Sequence, residues 1–121
     1  MTHSESSTLE VQVTGLINAE YFLGMIDVVN TEIKLTNCKN GLYHNVGADS
    51  SQLTSSDMRR IVKASKVLNE SLEGGKVAAV ITNKLSYGLV RMWYAFSSPD
   101  LKFEFQLFNK YESAMHWLNN Q

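Results

Sequence analysis

The chain has a single cysteine, Cys38, so no disulfide can close within it, and no Cys-x-x-Cys pair gives that thiol a redox or metal-binding companion. Its 11 lysines and arginines are offset by 12 acidic residues, for a net charge of −1. It therefore lacks the overall positive field that meets phosphates, and nucleic acid is not expected as a partner. No apolar run approaches the length of a membrane span. The opening residues, MTHSESSTLE, carry neither the basic nor the apolar stretch of a signal peptide, so the expected location is cytoplasmic.

Catalytic patterns are missing as well. Ser50, Ser51, Ser55 and Ser56 cluster, but no Gly-x-Ser-x-Gly elbow surrounds any of them. Gly74-Gly75 precedes a strand-like run, whereas a dinucleotide loop follows one. His44 and His116 stand apart from any Cys/His/Asp group at ligand spacing. Glu10, Glu20 and Asp27 show no spacing that converges on a cleft. No metal, no cofactor and no enzyme activity are expected.

What is present is a core. Of the 121 residues, 44% are apolar and 19% charged, enough for one folded domain and against disorder. Residues 1–8 are polar and read as a disordered tail; residues 9–121 read as a single domain. Leu9 to Thr14 alternates apolar and polar, which is the pattern of a half-buried strand. Asn18 can cap a helix with the stripe Phe22, Met25, Ile26, Val29 and Ile33, fading near Thr31 to Leu35. Leu42 to Val46 reads as a short strand. Thr54, with Asp57 three residues on, opens a helix with Met58, Ile61, Ser65, Leu68 and Leu72 inward, stopped by Gly74-Gly75. Arg59, Arg60, Lys63 and Lys66 make a basic run on that helix, read as a solvated face.

Lys76 to Ile81 is a β-branched apolar run, read as a buried strand. Ser86 to Phe96 reads as a helix apolar nearly all round. Phe103, Phe105 and Leu107 alternate into a last strand, and a short helix carries Tyr111, Ala114, Met115, Trp117 and Leu118. The order β-α-β-α-β-α-β-α implies an α/β fold with a largely parallel sheet.

The helix at Ser86–Phe96 is too apolar for full solvation. Three explanations stand open: a homodimer interface, a pocket for an apolar ligand or lipid partly closed by Trp117, or burial under residues 97–101 and the last helix. Its candidate interaction or pocket residues are Tyr87, Arg91, Trp93, Tyr94 and Phe96, with Trp117 from the last helix. Arg91 is the polar handle in the first two cases and a partner for Glu112 or Asp100 in the third.

Val13-Thr14-Gly15, Leu53-Thr54-Ser55-Ser56-Asp57-Met58, Val77-Ala78-Ala79-Val80-Ile81, Tyr87-Gly88-Leu89-Val90-Arg91-Met92 and Glu112-Ser113-Ala114-Met115-His116-Trp117-Leu118 occur in that order. Together they resemble the bacterial STAS-like, or SpoIIAA-like, domains related to the anti-sigma-factor antagonist. The resemblance implies a four- or five-stranded, mostly parallel sheet with helices. It also implies a non-enzymatic role in protein interaction or regulation, through self-association or a bacterial protein partner. Asp49-Ser50-Ser51-Gln52-Leu53 matches four positions of the antagonists' Asp-Ser-Ser-Gly-Leu stretch, with Gln52 at the glycine. The resemblance thereby implies Ser51, beside Ser50, as a site for a partner kinase, although a helix cap at Thr54 or Ser55 would leave Ser51 in the loop.

Overall fold

The computed structural model describes residues 2–3 and 7–120. The strands are β1 (Thr2–His3), β2 (Thr8–Val13), β3 (Asn40–Asn45), β4 (Lys76–Val80) and β5 (Glu104–Phe108). The helices are α1 (Ala19–Thr36), α2 (Ser55–Ser65), α3 (Leu68–Ser71), α4 (Lys84–Ser97) and α5 (Tyr111–Asn119). The sheet order is β1-β2-β3-β4-β5, with β2 to β5 parallel and β1 antiparallel on the β2 edge. The β-α-β-α-β-α-β-α order expected from the sequence is the order found. Of the tail expected at residues 1–8, Thr2–His3 pairs with Leu9 and Glu10 and Thr8 opens β2, while residues 1 and 4–6 lie outside the described residues.

Each parallel strand lies beside its predecessor, so the usual right-handed crossover sends every connecting helix to the same face. Leu9, Ile33, Cys38, Leu72 and Phe103 form the core on that side. Alternation turns the intervening side chains the other way. Leu42, Ala78 and Val80 pack there against Ala114 and Leu118 of α5, which alone covers the second face among the described residues. Both faces of β4 are thus buried, as its unbroken apolar run requires.

Local chemistry sets the boundaries. Asn18 caps α1, its Oδ1 accepting from the Tyr21 N–H at 2.8 Å. The helix runs on to Thr36, past the fading expected at residues 31–35. Asn37 ends it in the left-handed region, donating its N–H to Ile33 O at 2.8 Å. Thr54 and Asp57 make the reciprocal capping box of α2. The long helix expected from Thr54 to Gly74 is interrupted. Around Lys66 and Val67 the N–H groups reach carbonyls three residues back, a tighter turn that separates α2 from α3. Gly75 then lets the chain pass so close to Lys39 that a Cβ there would lie 1.9 Å from its carbonyl oxygen.

Candidate functional site

The aromatic helix α4 lies beside α2 and covers the β5 side of the sheet. Asn83 caps it, accepting from the Ser86 N–H at 3.0 Å. Its inward-facing residues settle incompletely on the sheet. Ser86 and Ser97 are its only buried residues, while Leu89, Val90 and Trp93 are half-buried. Trp93 donates Nε1–H to Ser65 Oγ at 3.0 Å and meets Phe105 edge-on, with ring centroids 5.1 Å apart. Tyr94 stacks on the same ring at 5.3 Å.

The outward stripe is the exposed anomaly. Leu85, Met92 and Phe96 recur at helical spacing and are 51%, 40% and 62% exposed. Arg91 is exposed and forms no ion pair among the described residues; Asp100 instead lies 4.0 Å from Lys66. On neighbouring α2, Arg60 is held by Glu20 at 3.1 Å, whereas exposed Arg59 and Lys63 have no ion pair among the described residues. Trp117 is not part of this surface. It sits across the sheet on α5, packed against Phe108, with Lys76 Nζ 5.2 Å from its ring centre. The last helix therefore neither buries α4 nor closes a pocket with it.

Between the sheet and α1, α2 and α4 lies a cavity of about 150 Å3. Val11, Tyr43, Val77 and Ala79 form part of its floor, Met25 and Ile61 part of its roof, and Leu89, Val90 and Trp93 its α4 wall. Tyr87, Tyr94 and Phe96 are not among its lining residues. Burial holds the Tyr43 phenol neutral well beyond the ordinary tyrosine range, with the nearby Tyr21 adding to the effect.

At one end of the cavity the loop after β3 meets the first turn of α4. Ser50 and Ser86, both buried, share a hydrogen bond of 2.6 Å between their Oγ atoms. The loop is pinned from below, where Ile17 N–H donates to Asp49 O and Asp49 N–H to Gly15 O, each at 2.8 Å. Asp49 Oδ1 accepts the Ser51 N–H at 2.9 Å, a bond that holds its carboxyl below the usual range. Ser51 itself is exposed and stands in the turn ahead of the capped start of α2.

The remaining candidates do not assemble. Cys38 is buried and accepts from Thr36 Oγ1 at 3.2 Å. His44 lies 3.8 Å from Glu10 and beside the Tyr111 ring, and His116 contacts Asn120 at 2.9 Å. No group of three or more His, Cys, Asp or Glu among the described residues is placed to hold a metal ion, and no helix among them is long and apolar enough to cross a membrane. The sequence reading missed Leu85, which it placed before the helix, and the Ser50–Ser86 pair, whose members are 36 residues apart. Asn83, a cap residue three positions ahead of Ser86, was the signal that moves the helix start forward.

No family model matches the chain, and no curated protein or solved structure matches it either.

Proposed function

We propose that this is a STAS-like regulatory domain of the cytoplasm that works by protein contact rather than by catalysis, with the outer face of α4 as its docking surface. The observation that carries the reading is the exposed stripe of Leu85, Met92 and Phe96 on one face of α4. Large aromatic and methionine side chains left in water are the residues that interfaces favour. Two further features support the family reading: the strand and helix order, and the placement of Asp49-Ser50-Ser51-Gln52-Leu53 between β3 and α2.

Charge favours a different partner over a second copy. α4 carries Lys84 and Arg91 and no carboxylate, and α2 beside it presents Arg59 and Lys63. Two copies meeting on this face about a two-fold axis would bring like charges together. An apolar ridge flanked by carboxylates on another protein fits better. Ser51, exposed in the loop that Ser50 ties to α4, is where a kinase would write on the same surface. The test is co-purification of wild type and Phe96→Glu from the source organism. A partner of fixed stoichiometry that Phe96→Glu loses, with its circular dichroism unchanged, supports the reading. Equal recovery with both proteins, or recovery of a homodimer alone, overturns it.

A further inference from the structure

We infer that the cavity between the sheet and α4 is a binding site for a small, neutral, mainly hydrocarbon molecule carrying one hydrogen-bond-accepting oxygen. This inference concerns the inside of α4 and does not rest on the docking surface outside it.

Size comes first. Native interiors are close-packed, with few voids larger than a water molecule. A cavity of about 150 Å3 is far larger than that, and an apolar cavity of about this size in another protein stays dry and takes up benzene. The second observation is how α4 sits. Leu89, Val90 and Trp93 line the cavity and are half-buried, although Trp93 and Tyr94 rest on Phe105 of β5. Occupancy would complete the burial of these side chains.

The chemistry of the walls selects the ligand. No lysine, arginine, histidine, aspartate or glutamate lines the cavity. A carboxylate or ammonium inside would be desolvated with no counter-charge, which excludes fatty acids and amines in their charged forms. Polar groups are few, and those of Ser50 and Ser86 meet at one end. In their mutual bond one hydroxyl donates to the other, and the second hydroxyl keeps a proton to offer. Trp93 Nε1–H is already committed to Ser65. A hydrocarbon body with one alcohol, ether or carbonyl oxygen directed at the serine pair meets these demands.

The experiment titrates the full chain with n-octanol and, separately, with octanoate at pH 7, reading the thermal midpoint and Trp93 fluorescence. A Trp93→Phe variant isolates the signal of Trp117, which lies across the sheet and serves as the internal control. The expected result is a saturable rise in midpoint and a Trp93 spectral change with octanol, and neither with octanoate. Ala79→Leu, which places bulk on the cavity floor, should fold with an equal or higher midpoint and lose the octanol response. If that variant does not fold, Val90→Phe fills the space from the helix side and is read in the same way. A Ser50→Ala/Ser86→Ala double variant should weaken octanol binding about 3- to 10-fold while leaving benzene binding unchanged. A wild type unresponsive to octanol, an equal response to octanoate, or a response that survives a folded filling variant overturns the inference.

Discussion

Ser50 and Ser86 hydrogen-bond to each other at 2.6 Å, both buried, and join the loop after β3 to the first turn of α4. The pair links the loop that carries Ser51 to the helix that carries the exposed apolar stripe.

Ser86→Ala should destabilise the fold by about 1–3 kcal/mol, because it leaves the Ser50 hydroxyl buried without its partner. The Ser50→Ala/Ser86→Ala double variant should cost less than the sum of the two single changes, since it removes both polar groups together. Urea unfolding measures the energies. Amide hydrogen exchange should show faster opening of the first turn of α4 in Ser86→Ala, with α1 unchanged.

Two glycines should respond in opposite directions to alanine. At Gly75 the new Cβ would meet the Lys39 carbonyl oxygen at 1.9 Å, and backbone on both sides must shift. The expected loss is about 4 kcal/mol or more, in the range kept for severe strain. Gly24 lies within α1, exposed, with nothing within 4 Å of an added Cβ. Gly24→Ala should stabilise by about 0.5–1 kcal/mol. Thermal and urea unfolding of the two variants side by side checks both signs.

Stability should fall at alkaline pH through Tyr111. Its hydroxyl donates to Glu10 Oε1 at 2.6 Å, and that bond, aided by burial and the carboxylate charge, raises its pKa from 10.0 to about 12. The folded protein holds this proton more tightly than the unfolded chain. The contribution is therefore whole below pH about 10 and drains away between about 10 and about 12. Tyr43, held neutral by burial, adds to the same decline. Tyr111→Phe should flatten part of the slope of unfolding free energy against pH in that window, and an unchanged slope would count against the Tyr111–Glu10 bond.

Features decided by neighbours in sequence were readable before the structure. The Asn18 cap, the Thr54–Asp57 box, the stop at Gly74-Gly75 and the alternation through Phe105 and Leu107 are local chemistry, and the strand and helix order followed from them. What required the third dimension was which side of α4 meets the sheet. On a helical wheel Phe96 falls in one stripe with Leu89 and Trp93, and only the packing beside α2 shows that Phe96, with Leu85 and Met92, is left in water while Trp93 turns to the sheet. Trp117 was misplaced for the same reason. Nothing local to α5 tells that the chain, after β5, passes to the opposite face. The break at Lys66 escaped because the inward stripe Ser65, Leu68, Leu72 continues across it.

The most direct measurement is native mass spectrometry of the protein isolated from its own organism, followed through a dilution series and repeated with Phe96→Glu. The expected result is a complex with a different protein chain that survives dilution in the wild type and is absent from the variant. A bare monomer at every concentration, or a homodimer that Phe96→Glu leaves intact, would contradict the assignment of the outer face of α4 as the docking surface.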